Sequence, residues 1–412
     1  MDVYVARQPI FNRHRRIFAY ELLFRNGMSN AFPGVDGDEA TSSLLSSSFF
    51  TVGIEQITIG RKAFINFTED MLTRGIPAMF PPNRVVVELL EDVQPTEEVI
   101  GVCRELVSKG YTLVLDDFVY REKLTPLIEL AAIIKIDFRL TPIEQIGEMV
   151  ETLKGYPCKL LAEKIETYDE FIVASGMGFV YFQGYFFSKP EILRNKDIPS
   201  SQMALMQLVV EVNRAEIEME DIEKLVNRDI SISFKLLKYL NSAYYSRLQP
   251  IASTRQAIAF LGERGTRLFV SLIITSKLSE HKPDELIRTS CVRARFLELV
   301  GKEVRLDSGV FFMLGLFSLL DAMLDSPMDD LMAQIPVTEE ISRALVHKTG
   351  GLFPYLQLIQ WYEAGEWHKM DAVMAGLDLD EQKIVSSVRL ENCIQKSIKK
   401  FTCENIFFLT AN

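Results

Sequence analysis

Leu113-Val114-Leu115-Asp116-Asp117-Phe118 is the stretch on which the fold turns. Three apolar residues run without interruption into two adjacent carboxylates. Such a run reads as a strand covered on both faces. Neighbouring strand residues point to opposite faces, so Asp116 and Asp117 cannot both be turned into a core. Buried charge is costly unless it is paired or holds a metal ion. Taken alone, the run fits equally a strand end whose acids are simply solvated. The pattern recurs, however, on either side. Arg84-Val85-Val86-Val87-Glu88-Leu89-Leu90-Glu91 ends on acids, and Ile133-Ile134-Lys135-Ile136-Asp137 ends on a lysine and an acid. Lys159-Leu160-Leu161-Ala162-Glu163-Lys164-Ile165-Glu166 ends on glutamates, and Tyr181-Phe182-Gln183-Gly184-Tyr185 delivers a glutamine. Earlier, Ile17-Phe18-Ala19-Tyr20-Glu21 and Ala63-Phe64-Ile65-Asn66 do the same. The later runs are separated by about twenty or about thirty residues, roughly one β/α unit each. A (β/α) barrel builds its site in this way, with polar residues from several strand ends converging on the C-terminal face.

At 412 residues the chain is long for one core, so two domains are expected. Its 48% hydrophobic and 25% charged residues are those of a soluble globular protein. A net charge of -11 argues against a broad DNA- or RNA-binding surface but leaves room for a local basic pocket holding a small anion. Cys103, Cys158, Cys291, Cys393 and Cys403 are scattered, with no Cys-x-x-Cys, which fits a reducing cytosol better than a disulfide or zinc framework. The chain opens directly on a strand-like Val3-Tyr4-Val5-Ala6 with no charged-then-apolar signal, so a cytoplasmic location is expected. The most apolar run, Val310 to Leu320, is too short to span a bilayer and reads as a buried helix.

Residues 1–190 alternate strand and helix patterns, which implies a mainly parallel sheet. Thr96 suits an N-cap before Glu97 and Glu98, with Gly110 stopping that helix. Thr141-Pro142-Ile143-Glu144 reads as a capping box with proline at the first helical position, and Gly155 ends that helix. Asn26 to Gly37 reads as a loop. Residues 191–201 form a polar linker containing Pro199, and residues 202–412 form a helical domain whose helical segments run to about Lys400, broken at Pro250, Gly262, Pro283, Pro327, Pro336 and Gly350-Gly351. Met203, Leu205, Met206, Leu208, Val209 and Val212 mark one amphipathic helix, and Ile230, Phe234, Leu237 and Leu240 another. Trp361, Tyr362 and Trp367 suit core more than a contact surface.

Glu21, Asn66, Glu88, Asp116 and Asp117 are oxygen donors, the type hard divalent cations such as Mg²⁺ or Mn²⁺ select. One or two such ions would serve phosphoryl transfer. Lys135 can neutralise a phosphate or hold a water, and Glu163 can act as general base if its neighbours raise its pKa. Arg25, four residues beyond Glu21, can clamp a phosphate, and Gln183 can meet a sugar or base edge. A set of unrelated surface acids is the alternative.

Tyr20-Glu21-Leu22-Leu23-Phe24-Arg25 resembles the motif that names the EAL domains, cyclic di-GMP phosphodiesterases on a TIM-like α/β barrel. Gln8-Pro9-Ile10, Asn66, Glu88-Leu89-Leu90-Glu91, Asp116-Asp117-Phe118, Lys135-Ile136-Asp137, Ala162-Glu163-Lys164-Ile165-Glu166 and Gln183-Gly184-Tyr185-Phe186-Phe187-Ser188-Lys189-Pro190 extend the resemblance over residues 1–190. The resemblance implies that Glu21, Asn66, Glu88 and Asp116 bind a first metal and Asp117 a second. It implies that Lys135 and Glu163 position and activate water, that Arg25 and Gln183 contact the nucleotide, and that Glu91 and Glu166 steady the site. Two departures stand out. Val119-Tyr120-Arg121-Glu122-Lys123-Leu124 replaces the family's Gly-x-Gly loop, and Lys164 replaces a glycine, where it can crowd the site or lower the basicity of Glu163.

The helical half resembles the HDOD module, a relative of the HD metal hydrolases. The residues that carry the resemblance are Asp229 to Ala243 and Ser253 to Gly262. Leu319-Leu320-Asp321 has leucine where an HD enzyme has histidine, and His14, His281, His347 and His368 are far apart in sequence, so no HD-type hydrolysis is expected of this all-α half. Its implied role is interaction with other signalling proteins, and a homodimer is an arrangement common among the related barrels. Three readings follow: a metal-dependent cyclic di-GMP phosphodiesterase, a receptor that binds without cutting, and a scaffold that binds proteins and no nucleotide.

Overall fold

The computed structural model describes residues 4–25, 53–55, 57–189, 200–214, 217–241, 251, 253–279, 282–377 and 379. The loop expected over Asn26–Gly37 and nearly all of the 191–201 linker lie outside them. The described residues divide into two compact units, one within Met1–Lys189 together with Gln360–Ala372, the other within Pro190–Ile359 and Val373–Asn412. By sequence, residues 360–372 belong to the helical domain; in the structure they group with the barrel.

The first unit is a closed eight-stranded barrel: β1 (Tyr4–Asn12), β2 (Ile17–Arg25), β3 (Lys62–Phe67), β4 (Val85–Leu89), β5 (Thr112–Leu115), β6 (Ile133–Asp137), β7 (Lys159–Glu163) and β8 (Tyr181–Gln183), adjacent in chain order. From β2 to β8 every neighbour is parallel. The expected mainly parallel sheet carries one reversed strand, because β1 runs antiparallel to both β2 and β8. The connection between β1 and β2 is too short for a crossover and so must reverse the chain. Asn12 Oδ1 organises that turn by accepting from the backbone N–H of His14 (2.9 Å) and Arg16 (3.1 Å).

Glu97–Ser108 is a helix capped as expected, Thr96 Oγ1 accepting from Val99 N at 3.2 Å. The next signposted helix, Ile143–Leu153, starts one residue later than its sequence suggests: Pro142 stands at the N-cap and no side chain caps it. Asp137 is the reason. Its Oδ1 accepts from Arg139 N (2.5 Å) and Leu140 N (3.0 Å), while its carbonyl accepts from Thr141 N (3.3 Å), so Thr141 belongs to the strand's exit turn. At the end of β8, Gly184 has φ +136°, and a Cβ there would lie 2.2 Å from the carbonyl oxygen of Ile165. Neither that backbone conformation nor that approach admits a side chain. Gly184→Ala is expected to lose about 3 kcal/mol, the upper end for overpacking, read as a shift in the urea midpoint.

The second unit is helical. Its helices include Ser200–Val212, Ile230–Leu240, Thr254–Leu278, Asp284–Glu303 and Ser308–Phe317. Gly262 (φ +70°, ψ 173°) kinks the third of these. Within Ile230–Leu240 the buried stripe is Ile232, Leu236, Tyr239 and Leu240, and Phe234, expected on the apolar face, is 62% exposed. The apolar run read as a buried helix forms most of Ser308–Phe317, with Phe311 through Phe317 buried. Gly315 lets it approach Asp284–Glu303 so closely that a Cβ would sit 2.4 Å from Ala294 N. Among the described residues no helix is long and apolar enough to cross a membrane.

Candidate active site at the barrel mouth

Each of the eight strands sends one residue into an apolar cluster: Ile10, Ala19, Phe64, Val86, Val114, Ile133, Leu161 and Tyr181. Side chains alternate along a strand, so the next residue on the same face lies two positions on. Counted toward the C-terminal ends of the parallel strands, those positions are Glu21, Asn66, Glu88, Asp116, Lys135, Glu163 and Gln183. The reversed strand β1 must be counted backwards, which gives Gln8 at the same level. A polar layer, one residue per strand, therefore sits directly on an apolar one.

Lys135 is the hub of that layer and is 1% exposed. Its Nζ lies beside a Glu88 carboxylate oxygen, 2.7 Å from Glu163, 2.8 Å from Asp116 and 3.4 Å from Glu21. Asn66 Nδ2 donates to Glu21 Oε1 at 3.2 Å, and Gln183 Nε2 donates to Glu21 Oε2 at 2.6 Å. Four carboxylates thus face a single ammonium. Burial opposes the charge on Lys135, but Asp116, Glu163, Glu21 and Glu88 together hold its pKa well above the ordinary lysine value. Burial pushes Glu88 and Glu163 well above the ordinary carboxylate range; Lys135 pulls both down, and the neighbouring acids push them up again. Asp117 is raised by burial and by Asp116.

One ammonium cannot satisfy this many oxygens. Asn66 Oδ1, Glu88 Oε2 and Gln183 Oε1 are buried and receive no hydrogen bond, Glu88 Oε1 and Asp116 Oδ1 have only the shared Lys135 ammonium, and Asp117 Oδ1 has only Lys164 at 3.9 Å. Leaving buried acceptors unmet is costly. Ligand oxygens of Asp116, Asp117 and Glu163 lie within 4.8 Å of one another. An all-oxygen donor set with surplus negative charge and unmet acceptors is the environment a hard divalent cation selects, and these residues fit one.

Of the residues singled out by sequence, the structure brings Glu21, Asn66, Glu88, Asp116, Asp117, Lys135, Glu163 and Gln183 together. The Arg25 side chain lies outside the described residues. Glu91 and Glu166 stand outside the polar layer. Glu91 is exposed and lines a cavity of about 140 Å³ beside Asp116 and Asp117, which Arg121 and Lys123 also line. Glu166 accepts from Lys189 Nζ at 3.0 Å and lies 3.5 Å from Arg139, and the bond from Lys189 lowers its pKa.

Lys164 does not enter the polar layer. It takes a left-handed backbone (φ +54°), its ammonium pairs with the buried Asp137, and it lies 3.9 Å from Asp117. A non-glycine residue there costs roughly 1–2 kcal/mol. The half-exposed ion pair returns at most about 1 kcal/mol. Lys164→Gly is therefore expected to change stability by less than about 1 kcal/mol. A loss above twice that in denaturant unfolding would show the pair to be a structural support of the mouth. Two residues given no role by sequence matter here. Asp137 lies two positions beyond Lys135 on the same strand face and binds Lys164 and its own exit turn. Gln8 emerges only once β1 is known to run backwards.

A closed barrel with a carboxylate-rich mouth at its strand ends, in one chain with a helical unit, defines the class: a barrel protein with an all-oxygen donor set at its mouth. Residues 45–190 match the EAL domain model, and residues 198–333 match the HDOD domain model. The chain is 37% identical over 404 residues to the Vibrio cholerae cyclic di-GMP phosphodiesterase CdgJ, spanning 96% of this chain and 94% of that one. It is 34% identical over 393 residues to Bacillus subtilis YuxH, spanning 92% and 95%. Among solved structures, an EAL domain protein from Listeria monocytogenes is 18% identical with a TM-score of 0.35, over 45% of this chain and 87% of that one. The chain belongs to the family in which an EAL domain is followed by an HDOD domain.

Proposed function

We propose that the barrel binds cyclic di-GMP with Mg²⁺ or Mn²⁺ and hydrolyses it to the linear dinucleotide. The observation that carries this reading is the convergence of Glu21, Asn66, Glu88, Asp116, Lys135 and Glu163 on one buried locus with unmet acceptor oxygens. Relatedness over nearly the whole chain to a protein named a cyclic di-GMP phosphodiesterase supports the choice of substrate.

Glu21, Asn66, Glu88 and Asp116 would hold one ion, and Asp117 would contribute to a second. When bound, the ions supply the positive charge that a phosphodiester anion requires. Glu163 takes a proton from the attacking water; its raised pKa suits a group that must accept and release a proton. Lys135, 2.7 Å from Glu163, orients that carboxylate and adds charge against the phosphoryl oxygens. The water oxygen bonds to phosphorus, one ester P–O bond breaks, and the departing sugar oxygen takes up a proton. Gln183 Oε1, buried and without a donor, offers an acceptor to an N–H of a base, and Arg25 adds a phosphate contact.

Binding without turnover is the second reading. The loop after Phe118 favours it, since Val119 is 54% exposed and stands where active family members carry glycine. The helical unit serves as an interaction module, because the buried Leu320 precedes Asp321 where an HD hydrolase needs histidine. The test is to incubate the full chain with cyclic di-GMP and Mg²⁺ or Mn²⁺ and to titrate binding in Ca²⁺ on the same preparation. Linear product supports hydrolysis. Saturable binding without product under either metal leaves the receptor, and no binding leaves a protein scaffold.

A further inference from the structure

Residues 360–372 lie outside both family matches yet pack as part of the barrel unit. Tyr362 is buried, its hydroxyl donates to Val5 O at 2.9 Å, and its ring meets Trp367 edge-on at 5.6 Å. The helix Phe353–Ala364 ends here in a tight left-handed cap: Gly365 has φ +68°, Gly365 N donates to Tyr362 O (3.1 Å), and Glu366 N donates to Trp361 O (2.9 Å). Such a cap satisfies two of the last carbonyls and leaves others to outside donors. The Ala364 carbonyl accepts from Gln8 Nε2 at 3.2 Å.

That contact fixes the polarity of a chain leading to the candidate site. A carbonyl can only accept, so Gln8 must present its amide NH₂ to Ala364. Its oxygen is then turned to Gln183, whose Nε2 donates to it at 2.9 Å. The same Nε2 donates to Glu21 Oε2 at 2.6 Å. Acceptors at both ends, Ala364 O and the Glu21 carboxylate, leave one arrangement of the two amides, and it presents Gln183 Oε1 as the free acceptor.

We infer that Gln8 is a positioning residue: anchored by the Ala364 carbonyl, it holds, together with Glu21, the Gln183 amide so that Oε1 meets the dinucleotide. The Ala364 carbonyl thus completes the polar chain at the mouth of the barrel. This rests on the phosphodiesterase reading, and the wild-type chain tests that reading separately. Gln8→Met keeps the length of the side chain and removes both hydrogen bonds. Gly365→Ala leaves the polar layer intact but displaces the helix end, since its Cβ would meet Leu23 Cδ1 at 2.6 Å. Tyr362→Phe weakens the docking of the same segment without touching the relay.

Michaelis kinetics with Mn²⁺ and calorimetric titration of cyclic di-GMP in Ca²⁺ are read for all three variants of the full chain. Gln8→Met and Gly365→Ala should each raise KM and the Kd in Ca²⁺ about tenfold, equivalent to about 1.4 kcal/mol, with kcat within about threefold. Tyr362→Phe should lower the melting temperature and leave both constants as in wild type. The inference is overturned if Gln8→Met and Gly365→Ala bind like wild type, or if Tyr362→Phe shifts binding as far as they do, since Gln8 would then only help dock the segment. Should Gln8→Met fail to fold, Gly365→Ala alone decides.

Discussion

Lys135→Met should leave the metal-free barrel severely destabilised. The substitution preserves most of the volume and removes the one ammonium that Glu21, Glu88, Asp116 and Glu163 share. Taking away one partner of a buried ion pair costs about 3–5 kcal/mol, because the other charge is stranded; here four carboxylates lose their common partner. Those carboxylates respond by taking up protons. Glu88 and Glu163 already sit above the ordinary value of 4.5, with Lys135 the main influence pulling them down. Its loss raises both further. A carboxyl group whose folded pKa exceeds its unfolded value contributes stability below the unfolded pKa and loses it as pH rises through the folded one. The variant in EDTA should therefore be comparatively stable near pH 4.5 and fall steeply toward neutrality, more steeply than wild type. Mn²⁺ should restore much of the loss at neutral pH, since binding to the native state alone stabilises it. Melting curves in EDTA and in Mn²⁺ across that range check this. A variant that melts with wild type in EDTA at neutral pH would mean that the four acids are not held against one another as described.

The barrel was legible because seven of its strands announce themselves as apolar runs ending on a polar residue. That signal is local: it needs only side-chain alternation and the burial of both strand faces. Glu21, Asn66, Glu88, Asp116, Lys135, Glu163 and Gln183 were found in this way, and the structure gathers them. Gln8 was not. Its motif was visible, but its inward direction depends on β1 running backwards, and strand direction is set by a hairpin that apolar spacing does not encode. The sequence shows Asp137 as an acid at its strand end but not its role, because its partners, the exit-turn N–H groups and Lys164, are set by tertiary structure. Thr141 has a capping sequence and lacks a capping role because Asp137 claims its turn first. The spacing of Ile230, Phe234, Leu237 and Leu240 points Phe234 inward because a short helix with many apolar residues offers two stripes. The structure buries the one through Ile232 and Leu236. The grouping of residues 360–372 with the barrel could not be read at all, since tertiary contacts between residues more than 350 positions apart, such as Tyr362 with Val5, leave no periodic trace.

Glu163→Gln carries the second large effect. Glutamine matches the shape of glutamate and can still accept from Lys135 through its amide oxygen, so the fold and the polar layer should persist. It cannot take a proton from water. Loss of a positioned general base costs about 10²–10⁴-fold in rate, and kcat for cyclic di-GMP in Mn²⁺ should fall by that factor. Binding should not follow it. Gln183 and the acids Glu21, Glu88 and Asp116 are untouched, and the substitution removes one negative charge from a site that receives an anion. The Kd measured in Ca²⁺ should therefore equal that of wild type or tighten. The two readouts separate two roles. If Glu163 serves chiefly as a ligand to the ion, affinity for Mn²⁺ falls and excess metal recovers the rate. If it serves as the base, metal affinity changes little and no concentration of metal recovers it. The geometry favours the base: Lys135 holds Glu163 Oε1 at 2.7 Å, whereas Asn66 Oδ1 and Glu88 Oε2 have neither a hydrogen bond nor an ion pair and are the oxygens left for an ion. Full recovery of turnover in excess Mn²⁺ would sink that assignment and move Glu163 into the metal-holding set.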